Sequence, residues 1–149
     1  MREYAQEWDF YQQALAICVE FGDRNSQAST YHQLGRVAEE LREYGEARES
    51  YQQALSIYIE FGDRYSQAMT YEGLGRVAEE LGEFSEAKNN FLQALAIRHE
   101  FNNEYGIKTY ALPNFSRLYQ ATQDESLLAA MAQTLGKTVA EIRQALELT

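Results

Sequence analysis

A chain of 149 residues, 45% of them apolar, is long enough for one continuous hydrophobic core and too apolar for a disordered tail. Its 23 acidic residues against 13 Lys and Arg leave a formal charge of −10, which argues against nucleic acid and anionic membrane surfaces as partners, since both are bound through basic clusters. One cysteine, Cys18, excludes an intrachain disulfide and a cysteine metal set, and no apolar run reaches the roughly 18 residues of a spanning helix, so a cytoplasmic location is expected.

The chain repeats itself: residues 11–50 agree with residues 51–90 at 27 of 40 positions, always at an offset of 40. Self-similarity at a fixed period in this range marks a stacked-repeat solenoid. The first 21 residues align with Leu41–Phe61, the second half of a repeat, so the chain opens on the second helix of a hairpin. That opening helix is atypical. Trp8 and Phe10 stand where later copies have Arg48/Lys88 and Ser50/Asn90. Two large aromatics on a polar face suggest either packing against a neighbouring helix or a self-association edge.

Residues 22–61 and 62–101 form two full repeats. In each, apolar residues recur at spacings of three and four, as in Tyr31, Leu34, Val37, Ala38 and Leu41, then Tyr44, Ala47, Tyr51, Ala54 and Leu55. That is a pair of amphipathic helices, and the short break at Arg42-Glu43 or Gly82-Glu83 makes them antiparallel neighbours. Between hairpins lies Phe-Gly-Asp-Arg, where Gly22 and Gly62 can end one helix in the left-handed conformation and Asp23 and Asp63 can cap the next.

From residue 102 the repeat degenerates. One added residue restores the match, aligning Phe115-Ser116-Arg117-Leu118 with Leu74-Gly75-Arg76-Val77 at an offset of 41. Pro113 falls inside that helix and predicts a kink or a late start. Residues 124–149 depart from the repeat: Ser126–Met131 reads as a short helix ending at Gly136, and Thr138-x2-Glu141 is a capping box opening a last helix through Leu146. This pair is expected to cap the array. The sum is an all-α, right-handed solenoid of antiparallel hairpins with about eight helices, residues 1–123 as repeats and 124–149 as the cap.

Tyr31-x2-Leu34-Gly35-x2-Ala38 followed by Ala47-x3-Tyr51 and Ala54-Leu55, echoed by Tyr71, Leu74, Gly75, Ala78, Ala87, Phe91, Ala94 and Leu95, resembles the tetratricopeptide repeat. It departs from the common pattern in its period of 40 instead of about 34, in Ile59 at the closing proline position, and in Ala38/Ala78 where tyrosine is usual. The wording is most like the long-period bacterial arrays of signalling proteins. The resemblance implies that the first helix of each hairpin lines a concave groove. Carried over, the groove candidates are Ser29, His32, Gln33, Arg36 and Glu40, then Met69, Glu72, Arg76 and Glu80, with Arg117 continuing the arginine column.

Arg36, Arg76 and Arg117 place one guanidinium per repeat, a set suited to carboxylate or phosphate recognition. The plainer reading pairs Arg36 with Glu39 or Glu40, and Arg76 with Glu79 or Glu80, within one helix. The Lys and Asn positions of the family's terminal-carboxylate clamp are not matched. Adjacent glutamates on a helix diverge by about 100° and do not converge on one atom. No nucleophile, base and orienter set is present, so no enzyme, metal or cofactor is expected. The sequence reads as a non-catalytic module that binds a protein or peptide segment in its groove. The alternatives are homo-oligomerisation through Trp8 and Phe10, or sensing of a small peptide signal.

Overall fold

The computed structural model describes residues 2–148, which form helices and no strands. Five long helices come first: α1 (Arg2–Glu20), α2 (Arg24–Glu40), α3 (Tyr44–Glu60), α4 (Arg64–Glu80) and α5 (Phe84–Glu100). α6 (Glu104–Gly106), a π-helical segment (Ile107–Ala111) and α7 (Leu112–Thr122) then run on as one rod, followed by α8 (Glu125–Leu135) and α9 (Val139–Ala145). With the rod counted once, the described residues make eight helices, each of the first five packed on its chain neighbour.

The junctions follow the chemistry of their residues. Gly22 and Gly62 both sit at φ +68°, and the Asp23 and Asp63 carboxylates accept from the Ser26 and Ser66 backbone N–H at 3.1 Å. At the turn inside each hairpin Gly82 takes φ +74°, whereas Arg42 holds the same left-handed position at φ 61° with a side chain attached.

Stacking rests on aromatic rings set against glycines. Tyr51 is fully buried between α2 and α4. A Cβ on Gly35 would come within 2.7 Å of the Tyr51 ring, and one on Gly73 within 2.6 Å. Phe91 occupies the same place one repeat later, against Gly75, and meets Phe115 edge-on with centroids 5.9 Å apart. Leu127, Leu128 and Met131 of α8 and Ile142 of α9 are buried in this same cluster. The α9 start is a complete capping box between Thr138 and Glu141.

The extra residue of the degenerate repeat is absorbed in the π-helical segment. There the Leu112 N–H reaches back five residues to the Ile107 carbonyl, a wider turn than the α-helix makes. It stands directly before Pro113, whose ring and missing N–H would disrupt an ordinary α turn. The expected irregularity is therefore a π turn with α-helix on both sides.

Candidate functional site

The arginine column is tied across repeats, not along each helix. Arg76 donates from Nε and its terminal nitrogen to Glu39 of the preceding repeat, at 2.8 and 3.1 Å. Arg117 does the same to Glu79, at 3.0 and 2.8 Å. This corrects the within-helix pairing with Glu79 or Glu80: stacking brings the preceding repeat's glutamate closer than the residue one turn on. Glu39 also accepts from the buried Tyr51 hydroxyl at 2.8 Å, so one carboxylate joins three helices. Burial and Glu39 together push the Tyr51 hydroxyl well above the usual phenol range. Among the described residues Arg36 meets no carboxylate. It is exposed and donates to the neutral amide of Gln33 at 3.0 Å, which also corrects its expected pairing with Glu39 or Glu40.

Two further groove candidates, His32 and Glu72, are buried at equivalent positions of α2 and α4. His32 Nδ1 lies 3.0 Å from the Thr70 hydroxyl, which itself donates to the Ser66 carbonyl at 2.8 Å. With that hydroxyl proton committed, Nδ1 must donate and Nε2 is the acceptor of a neutral ring. Burial, reinforced by the positive charges of Arg36 and Arg76, lowers the His32 pKa to about 4.

Glu72 accepts two hydrogen bonds from Arg98 of α5, at 2.8 and 2.7 Å, and both side chains are almost wholly shielded from solvent. Arg98 lies under the Tyr110 ring, 5.1 Å from its centroid, and Gly106 leaves room for the guanidinium where a Cβ would collide with it. The sequence expectations omitted Arg98. Its equivalents, Cys18 and Tyr58, differ in kind, and variability at a position reads as tolerance when one chain is all there is to see.

His32, Arg36, Met69, Glu72 and Arg76 line one hollow of about 280 Å³, together with Tyr65, Arg98 and Tyr110. Five of the ten groove candidates therefore converge. The floor is the neutralised Glu72–Arg98 pair, and the walls are the exposed side chains of Tyr65, Met69 and Tyr110. Gln33 is half-buried beside Arg36, while Ser29, Glu40, Glu80 and Arg117 are exposed and lie outside the hollow. A larger hollow, about 450 Å³ between Ile107, Leu112, Leu135 and Ile142, contains none of the candidates.

The two aromatics of α1 behave differently. Trp8 is half-buried against the Tyr51 cluster and lies beside Glu43 and Glu46, as Arg48 lies beside Glu83 and Glu86 one repeat on. Phe10 is 64% exposed. Among the described residues no cluster of three or more metal-ligating side chains exists, and no helix is long and apolar enough to cross a membrane.

Stacked helical hairpins with glycine-seated aromatics and a polar concave hollow define a helical-repeat protein of the tetratricopeptide class. The family model for the tetratricopeptide repeat matches residues 9–60 and 43–100, most of the chain, and the chain belongs to that family. Repeats of this family are in general non-catalytic modules of protein–protein interaction. No curated protein matches the sequence. Among the solved structures that do match is the crystal structure of BtubC (BKLC) from P. vanneervenii, 22% identical with a TM-score of 0.75. The alignment covers 97% of this chain and 58% of BtubC, so the chain spans little more than half that protein's length, and at this identity the likeness is one of fold.

Proposed function

We propose that the chain binds an extended or helical peptide segment of a protein partner in the concave hollow between α2, α4 and the π-helical segment. The observation that supports this reading is the convergence of Arg36, Tyr65, Met69 and Tyr110, all exposed, over a floor whose charges are already paired. Exposed aromatic and thioether walls offer apolar contact, and the Arg36 guanidinium, which meets only an amide among the described residues, offers directional recognition of an acidic group. Groove and stack fall to residues 1–123, with 124–149 closing the far end. The 40-residue recurrence of equivalent helix starts, Arg24 and Arg64 then Glu104, supports placing the chain with the long-period arrays of bacterial signalling proteins. A single free cysteine fits a reducing cytoplasm.

A library of random peptides displayed on phage tests the groove. Peptides selected on the wild-type protein are expected to lose binding to a Arg36→Ala/Tyr65→Ala/Met69→Ala variant whose melting is unchanged. Enriched peptides that bind this variant equally well would remove the reading.

A further inference from the structure

Equivalent positions of the two full repeats each place an acceptor at the concave hollow, and only one of them is met from within. Glu72 of α4 takes two hydrogen bonds from Arg98. His32 of α2 stands at the same register one repeat earlier, where the place of Arg98 is filled by Tyr58. The imidazole is fixed by its other nitrogen: Nδ1 gives its proton to the Thr70 hydroxyl at 3.0 Å, and that hydroxyl is committed to the Ser66 carbonyl. This leaves a lone pair on Nε2, which has no partner among the described residues. No buried side-chain nitrogen or oxygen among those residues lacks a hydrogen bond, so Nε2 is open to solvent, and the surface that His32 lines is the hollow.

We infer that His32 Nε2 selects the anchor of the bound segment, accepting a hydrogen bond from an aromatic side chain with a neutral donor, the hydroxyl of a tyrosine or the indole N–H of a tryptophan. This rests on the hollow being the peptide groove, and it names the side chain that the groove prefers. Arg36, Arg76 and Arg98 line the hollow against one lining carboxylate, Glu72, with Glu39 tied to Arg76. A lysine or arginine of the ligand is repelled by that excess of positive charge. A carboxylate is drawn to it but has no proton to give, and would set its lone pairs against that of Nε2. A neutral donor therefore fits this point. The walls choose the body that carries it, because Tyr65, Tyr110 and the Met69 thioether offer aromatic and polarisable surface to a flat side chain. A serine or asparagine would meet Nε2 and leave these walls uncovered. A phenylalanine would cover them and leave Nε2 unpaired.

The test starts from peptides selected on the whole protein by phage display, keeping those that lose binding to the Arg36→Ala/Tyr65→Ala/Met69→Ala variant. Each is expected to carry a tyrosine or tryptophan whose exchange for phenylalanine or naphthylalanine, which lack the donor, weakens binding at least about fivefold. On the His32→Phe protein the same exchange should cost under about twofold, the coupling being lost with the acceptor. Thr70 keeps its bond to the Ser66 carbonyl in that variant, so the substitution orphans no hydroxyl proton. Long-range nitrogen–proton NMR of the labelled wild-type protein at neutral pH needs no variant. It should show His32 protonated at Nδ1 and bare at Nε2, with the Nε2 resonance moving as peptide saturates the hollow. Hollow-dependent peptides without such an anchor, a loss below about fivefold on wild type, an equal loss on both proteins, or an imidazole protonated at Nε2 would overturn the inference. Selected peptides of which none depends on the hollow would instead remove the groove reading, and the inference with it.

Discussion

Arg98→Met should be among the most damaging single changes outside the aromatic core. The wild-type guanidinium gives Glu72 two hydrogen bonds below 2.9 Å, in a place where the Glu72 side chain is only 6% exposed. Removing it leaves a buried carboxylate without compensation, a loss of about 3–5 kcal/mol. For a domain of this size that corresponds to a fall of roughly 10–15 °C in melting temperature. Replacing both members, Glu72→Met with Arg98→Met, removes the charge together with its partner and should return most of the loss. Urea titration followed by circular dichroism at the helical band measures both, and the double-mutant cycle gives the coupling. A single variant costing under about 1 kcal/mol, or a double variant no better than the single, would refute the claim that this pair is a shielded, mutually dependent unit.

Other consequences can be measured in the same way. Gly73→Ala would ordinarily stabilise a helix by about 1 kcal/mol, but its Cβ would press on Tyr51, so a net loss of about 1–2 kcal/mol in urea is expected. Arg42→Gly relieves a left-handed residue and copies Gly82, so it should gain about 0.5–1 kcal/mol in the same titration. His32 takes up its proton near pH 6.5 in the unfolded chain but only near pH 4 when folded, so stability falls as pH drops through this window. The ring's share amounts to about 3 kcal/mol at the low end, and His32→Gln should flatten that part of the pH profile. Thr138→Ala removes one arm of the α9 capping box and should lower stability by about 1 kcal/mol.

Local chemistry carried most of the fold into the sequence. Helix starts were legible because Asp23 and Asp63 have serines three residues on to cap, and helix ends because Gly22 and Gly62 precede them. The added residue and Pro113 foretold an irregular helix, although not that a π turn would take up the excess. The candidate site was legible in part. Residue spacing placed Arg36, Met69 and Arg76 on first helices, but which carboxylate each arginine meets depends on how repeats stack. A partner 37 residues back lies outside any within-helix rule. The Glu72–Arg98 pair had a signal that went unread: two uncharged or weakly basic positions of one repeat, His32 and Tyr58, become opposite charges in the next. Tyr110 could not be placed, since its position over Arg98 depends on the π turn shifting its register.

The most direct test of the groove as the binding surface is residue-resolved NMR of the labelled protein titrated with a peptide selected on it. Amide and side-chain shifts centred on Arg36, Tyr65, Met69 and Tyr110, with α8 and α9 silent, are the predicted result. Shifts confined to α8 and α9, or to α1 and α3, would contradict it.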